Sequence, residues 1–351
     1  MTISSGLGQR VLTFPNMGEN LVEAKKYRAD KSRAYREGFD EFVKTAVRVN
    51  IAGKQYLAHN NVNLYVDMTQ ACNADCNFCI AKVNFTRNSK PINTEFLNKA
   101  LDALSDVKPS VQITGGEPTL FPTQLKRLVD TVNERKPKRP VINTNGTNLL
   151  ECTKFIADSK IEHVNISRHH YNETNNNKVM EFRGPGITNN YLAEAIAPIK
   201  ERVRVQCNFL DGEIDTYGEV MQFIAYCYHK LNVRNVAFAQ LTPLPDDSFY
   251  APSIIKVIKD APVDVDAILA RVDTDSRFQF EKYRGGVACY YEVWKFLAYE
   301  EPMTIIFKYS DNQWLEKADA DPLLLPDLVL HTDGTLAGSW CKDRKFLTKF
   351  D

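Results

Sequence analysis

The stretch VNLYVDMTQACNADCNFC, residues 62–79, decides how the rest of the chain is read. It opens with a β-prone run, VNLYVDM (62–68), in which Leu64 and Val66 alternate with Tyr65 and Asp67. A period of two marks a strand with one apolar and one polar face. Three cysteines follow at once, Cys72, Cys76 and Cys79, at the spacing C-x3-C-x2-C. Thiolates are soft ligands that select iron–sulfur clusters and zinc. Three are one fewer than a closed structural zinc site requires. Two readings stay open on spacing alone: a cluster whose open position takes a substrate or cofactor group, or a zinc loop completed by a distant Cys or His.

The strand pattern recurs downstream as SVQITGG (110–116), PVINTNG (140–146), EHVNISR (162–168), RVRVQCNFL (202–210) and RNVAFAQL (234–241). Helical patterns at 93–104, 122–135, 191–202 and 217–231 lie between most of them. Strands alternating with helices argue for βαβ units and a parallel sheet, and six such strands make a partial barrel. Val111, Ile113, Ile142, Val164, Ile166, Val203 and Val205 share the apolar phase, whereas Gln112, Thr114, Asn143, Asn165, Ser167, Arg204, Gln206 and Asn208 fall on the other. A strand buried under helices on both faces is apolar on both. The simplest account is a curved sheet with helices outside and a polar, ligand-holding interior. An antiparallel sheet with one wet face is the alternative, and the intervening helices speak against it.

Around this core, residues 1–60 are expected to form a helical extension over 20–48 and a hairpin over 49–60. Residues 61–242 are expected to form the barrel. Residues 243–351 open with the Pro/Asp-rich TPLPDDSFYAPS and continue with one helix over 253–271. Aromatic β-prone pieces follow, and Asp333-Gly334 marks a hairpin. We expect there a small α+β domain that covers substrate at one end of the barrel. The Asn-rich NETNNN (172–177) reads as an exposed loop.

Composition narrows the function classes. The 351 residues include 44 Lys+Arg and 44 Asp+Glu, so no net charge favours nucleic acid or an anionic membrane. No run of apolar residues is long enough for a membrane span, and the first 16 residues lack a signal-peptide core. The eight cysteines are too sparse for a secreted disulfide scaffold, which points to a reducing, cytoplasmic setting.

The cysteine loop resembles the CxxxCxxC signature of the radical S-adenosylmethionine (radical SAM) family, with the aromatic Phe78 before its last cysteine. ITGGEPTLFP (113–122) is similar to the GGE segment that ends the family's second strand, and INTNG (142–146) to the end of its third. VNISRHH (164–170) with FRG (182–184) resembles the fourth strand and following loop of the subgroup that includes the molybdenum-cofactor cyclase. The resemblance implies a partial (β/α)6 barrel. It also implies a [4Fe–4S] cluster on Cys72, Cys76 and Cys79, with SAM chelating the unique iron through its amino and carboxylate groups. One electron then cleaves SAM, and the 5′-deoxyadenosyl radical abstracts hydrogen from substrate.

Site roles follow from the same resemblance. Gly115 and Gly116 would allow close approach of a ligand, Glu117 would accept from the SAM ammonium, and Phe78 would face adenine. Thr144, Asn145, Ser167 and Asn208 are further candidates for SAM contact. Arg168 departs from the cyclase-like pattern, which commonly has an acid there, and could pair with the SAM carboxylate or an anionic substrate group. His169 and His170 could position substrate or shuttle a proton. Cys289 and Cys341 are the tail's candidates for hydrogen-atom donation. Lacking a CxxC, the tail is not expected to hold a second cluster. Cys152, Cys207 and Cys227 read as core. The expected substrate is a small polar metabolite or natural-product precursor, with a ribosomal peptide second. A flavodoxin or ferredoxin would supply the electron. SAM as a consumed co-substrate, and a non-catalytic iron–sulfur or zinc module, are the other readings.

Overall fold

A computed structural model describes residues 18–84, 89–244, 250–260 and 262–351. The N-terminal stretch 1–17, read above for a signal peptide, and part of the Pro/Asp-rich segment lie outside those residues.

Two helices come first, α1 (Leu21–Ala29) and α2 (Lys31–Thr45). Asn20 caps α1 by accepting from the Val22 and Glu23 amides, and Asp30 caps α2 through Arg33. Strand β1 (Val47–Ile51) then pairs antiparallel with β2 (Lys54–Asp67). The two-residue connection, Ala52 and Gly53, has positive φ at both positions, 51° and 82°, as a type I′ hairpin turn demands. The hairpin's second arm runs on without a break to Asp67, so one 14-residue strand is both hairpin arm and first barrel strand.

Five parallel strands follow β2 in chain order: β3 (Ser110–Thr114), β4 (Lys138–Thr144), β5 (His163–Ser167), β6 (Val203–Asn208) and β7 (Asn235–Ala239). Helices α3 (Thr94–Ala103), α4 (Pro122–Arg135), α5 (Leu149–Ala157), α6 (Glu173–Met180), α7 (Asn189–Ile196) and α8 (Tyr217–His229) connect them. The apolar phase of the strands is fully buried beneath the helices: Leu64, Val66, Val111, Ile113, Ile142, Val164, Ile166 and Val205 have no exposed surface. Each such side chain contributes roughly 1.5–3 kcal/mol.

The tail comprises α9 (Pro252–Asp260), α10 (Val265–Val272), β8 (Phe278–Gly286), β9 (Cys289–Phe296), β10 (Met303–Ser310), α11 (Asn312–Ala320), β11 (Leu324–Leu330), β12 (Thr335–Ala337) and β13 (Phe346–Lys349). Its strands extend both edges of the same sheet. β10 runs parallel to β7 and carries the antiparallel β9 and β8, while β11 runs parallel to β2 and leads to the expected Asp333-Gly334 hairpin and β13. Helix α2 straddles the two sides. Gly38 lies so close to Gly286 that a Cβ there would come within 2.5 Å of its carbonyl carbon, and Phe42 packs on His59 of β2 at 5.3 Å.

Two local expectations are corrected. NETNNN is not a loop: Asn172 caps α6 by accepting from Asn175, and Asn176 is buried with its side chain on the His169 amide. Asn followed by an acid is a helix start, and its polarity hid this. The single helix over 253–271 is two, ending at Asp260 and resuming at Val265, with Pro262 between them.

A buried ion network fastens α1 to the tail. Arg28 donates to both oxygens of Glu292 at 2.9 and 2.6 Å and to both oxygens of Asp273 at 3.0 and 3.2 Å. Tyr290 and Trp294 donate to the same Glu292 carboxylate, which has no exposed surface. Replacing Arg28 with Met strands that charge, and should cost about 3–5 kcal/mol in urea unfolding. Adding Glu292→Gln to Arg28→Met should restore a large part of the loss.

Candidate functional site

The cysteine loop leaves β2 at Asp67 and lies directly on the end of β3. The Met68 amide donates to Thr114, the Gly116 amide to Thr69 at 2.5 Å, and the Glu117 amide to Ala71 at 2.8 Å. A Cβ on Gly116 would sit 2.0 Å from the Ala71 carbonyl oxygen, and one on Gly115 2.4 Å from that of Thr69, at a φ of 123°. The close approach expected of these glycines is therefore made by the loop's own backbone.

Two other motifs hold the loop from its far side. Asn73 accepts from Asn145 at 2.9 Å and donates to Thr147 at 3.0 Å, which ties it to the INTNG segment. The Arg183 amide donates to Asn73, and its guanidinium pairs with Asp75 at 2.7 Å, which ties it to FRG. Lys82 also pairs with Asp75, at 2.7 Å. Asn73, Asp75, Lys82, Met180 and Arg183 escaped sequence reasoning. Asn73, Asp75 and Arg183 belong to motifs read for other residues, whereas Lys82 and Met180 lie outside every motif quoted.

Cys72, Cys76 and Cys79 share an apolar nest with Ala74, Phe78 and Met180. Leu241 and Val257 of α9 pack against it. Burial pushes the Cys72 and Cys76 thiols up to about 12, with neighbouring thiols adding to the rise, and burial raises Cys79 as well, with Asp75 adding to it. Such thiols are inert as nucleophiles and become thiolates only by exchanging their protons for metal. Among the described residues no three His, Cys, Asp or Glu side chains are drawn tightly enough to share one metal ion. A multi-iron cluster does not ask that, because each thiolate ligates a different iron. Three converging soft donors in a dry nest fit such a cluster.

Glu117 is held by its own neighbours. Its carboxylate accepts from the Thr119 amide at 2.9 Å, the Thr119 and Thr144 hydroxyls at 2.6 Å, and the Asn145 amide at 2.5 Å. Burial raises its pKa, and these four donors oppose the rise. The acid caps the turn after β3 and joins it to the end of β4. Glu117, Thr144 and Asn145 are thus brought together, but onto one another.

At the end of β5 the alternation separates the other candidates. Ser167 faces inward, as do Gln206 and Asn208 of β6. Arg168 shares the outward phase of Ile166. Its Nε donates to the His170 carbonyl and its Nη2 to Asn189, and it stacks on Tyr226, so this position is structural. His169 stands edge-on to Phe78 at 5.0 Å, and its Nδ1 accepts from the Asn208 amide at 3.0 Å. Burial, then Arg168, pushes its pKa down to about 3, so the ring stays neutral and positions rather than shuttles. The His170 Nδ1 accepts from the Asn172 amide, and its Nε2 faces Asn175 and Glu213 at 3.3 and 3.7 Å.

The tail completes the inner wall. Cys289 sits half-buried at the start of β9, in register with Ser310 and Gly286, and burial raises its thiol pKa. Cys341 lies in the turn after β12, its amide on the Ser339 hydroxyl. Trp340 packs on Tyr65 at 5.2 Å. In the tail, Tyr290 and Glu292 face α1, whereas Tyr291 and Lys308 share the inward face. The roomier surface hollow, about 330 Å³ beside Val132, Pro140 and Glu162, lies at the opposite ends of the strands. A smaller cavity of about 180 Å³ lies under α9, lined by Phe209, Gln240, Leu241 and Ile258.

Beside the loop, Asp67 and His331 form a buried pair, Oδ2 and Nδ1 3.9 Å apart, with no hydrogen-bond partner on either atom. Burial pushes the Asp67 carboxyl up to about 7. The folded state then binds the proton more tightly than the unfolded chain, so stability falls as pH rises from about 4 to about 7. Asp67→Asn removes that fall. Its stability relative to the parent should improve by roughly 2 kcal/mol between pH 5 and pH 8, read from denaturation at the two pH values.

Comparison with known proteins agrees with this geometry. Residues 66–213 match the Radical SAM superfamily. A probable GTP 3′,8-cyclase of Thermococcus kodakarensis is 29% identical over 164 residues, 43% of this chain and 50% of that protein. The FeMo cofactor biosynthesis protein NifB of Azotobacter vinelandii is 28% identical over 123 residues, 31% of this chain and 24% of that one. The chain thus matches a quarter to a half of the length of these relatives. The fold of SuiB from Streptococcus suis, solved bound to its precursor peptide SuiA, is similar at a TM-score of 0.53 and 14% identity, over 94% of this chain and 66% of that one. Residues 66–213 thus match the domain of the radical SAM superfamily, whose cofactors are a [4Fe–4S] cluster and S-adenosylmethionine.

Proposed function

We propose that the enzyme acts on a small polar metabolite or natural-product precursor held inside the barrel, by abstracting a hydrogen atom from it. The observation that carries this reading is the polar inner face. Asn63, Gln112, Asn143, Asn165, Gln206 and Asn235 line it across successive strands, and β9 and β10 continue it with Tyr291 and Lys308. Asn165 donates to Asn143 at 2.8 Å and Asn63 to Asp327 at 2.9 Å, and hydrogen-bonding groups on the concave side of a helix-covered sheet suit a polar ligand.

Cys72, Cys76 and Cys79 would hold the cluster, which with SAM supplies a 5′-deoxyadenosyl radical upon one-electron reduction. The chain's own contribution is positional. Gly115 and Gly116 admit the loop, Asn73 and Asp75 anchor it, and neutral His169 fixes Phe78 against β6. Leu241 and Val257 cover the thiols and exclude water, which limits side reactions. A flavodoxin or ferredoxin is the reductant in this reading. The eight free cysteines support a reducing, cytoplasmic setting, and no described helix is long and apolar enough to cross a membrane. A peptide substrate is the second reading, favoured by the fold shared with SuiB.

Protein reconstituted without oxygen should carry about four irons per chain. With SAM and dithionite it should release 5′-deoxyadenosine and no S-adenosylhomocysteine. The Cys72→Ala, Cys76→Ala, Cys79→Ala triple variant should lose the iron–sulfur absorbance. Zinc in place of iron, or S-adenosylhomocysteine as the product, would overturn the reading.

A further inference from the structure

Two imidazoles follow β5, and a backbone amide fixes the tautomer of each. The Asn208 amide donates to Nδ1 of His169 at 3.0 Å, and the Asn172 amide donates to Nδ1 of His170 at 2.8 Å. A ring nitrogen that accepts from an amide carries no proton, so both rings hold theirs on Nε2. The two differ in what meets that N–H. Nε2 of His170 faces Asn175 at 3.3 Å and Glu213 at 3.7 Å. Among the described residues, nothing accepts from Nε2 of His169.

The His169 ring is held rigidly against the cysteine loop. Its own amide donates to the buried Asn176 side chain at 2.9 Å, and Arg168 Nε fixes the next residue by donating to the His170 carbonyl at 3.1 Å. The ring meets Phe78 at 5.0 Å with the planes 87° apart, and Phe78 directly precedes Cys79. Seating Nδ1 on the end of β6 turns Nε2 away from that strand. A proton on Nδ1 would set one N–H against another, so geometry alone keeps this donor uncharged. A buried donor without an acceptor is costly, and a ligand that supplies one removes the cost.

We propose that His169 binds the adenosine half of S-adenosylmethionine, its Nε2–H donating to a ring nitrogen or a ribose hydroxyl. The inference rests on the radical SAM reading and adds a cofactor-binding residue to it. Charge selects the acceptor. A carboxylate draws its strongest hydrogen bonds from charged donors, and this donor is neutral. It stands at the edge of the apolar nest of Ala74, Phe78 and Met180, where an uncharged pair avoids the cost of burying an ion. The methionine half of the cofactor presents an ammonium and a carboxylate. The adenosine half presents uncharged acceptors only, and its base suits the flat apolar wall that Phe78 provides.

The test uses the full chain, reconstituted without oxygen and titrated calorimetrically with SAM, 5′-methylthioadenosine and methionine. Asn at position 169 sets its Oδ1 where the imidazole Nδ1 sits and keeps the Asn208 contact, but leaves the Nε2 position empty. Gln reaches that position with an amide N–H. His169→Asn should keep its iron and bind SAM and 5′-methylthioadenosine about tenfold more weakly, with methionine unchanged. His169→Gln should recover part of the loss. Either nucleoside ligand bound by His169→Asn as tightly as by the unchanged chain overturns the proposal, as does an equal loss for methionine. Iron lost from both variants assigns His169 to the scaffold and overturns it too. An unchanged chain that takes up no iron or binds no SAM overturns the radical SAM reading itself.

Discussion

The contact between two backbones, Gly115-Gly116 at the end of β3 and Thr69–Ala71 at the end of β2, is the constraint on which the site depends. Any side chain at Gly116 would displace the Ala71 carbonyl. With both glycines in place, the loop that carries the three thiols is laid along the sheet edge and hydrogen-bonded to it residue by residue. INTNG and FRG then complete the grip through Asn73 and Asp75. Motifs scattered over more than a hundred residues of chain are thus four sides of one small cradle. Their common task is to hold a loop that has no regular structure of its own.

The tail's contribution is to finish the wall. A sheet of six parallel strands has two open edges, and here both are continued by strands from the last third of the chain. Helix α2 spans the outside of that join, and the buried Arg28–Glu292 pair locks α1 onto it. These charges lie outside the barrel, where they are fully matched.

Much of this was legible in the chain. The six strands, their polar and apolar phases, the hairpin and the cysteine loop all follow from local periodicity and turn chemistry, which the folded structure keeps. What was not legible depends on distant pairing. Nothing local says that β10 joins β7 or that β11 joins β2, so residues 243–351 read as a cover. The hydrogen bonds of Glu117 were not legible because a carboxylate after two glycines is chemically free until Thr119, Thr144 and Asn145 are folded around it. The partners of Arg168, Asn189 and Tyr226, come from other elements and were not legible locally.

The pairing of β11 with β2 joins residues 324–330 to residues 57–66, and it shapes how the chain must fold. Contacts of that sequence separation form slowly, because a long loop has to close before they bring any gain. During synthesis β2 therefore leaves the ribosome with one edge unpaired and stays so until most of the chain has followed. Its opposite side is sheltered early by β1 and β3, which are close in sequence. A long exposed edge is a template for pairing with other chains. The nascent chain is at its most aggregation-prone in the interval between making its cysteine loop and making β11.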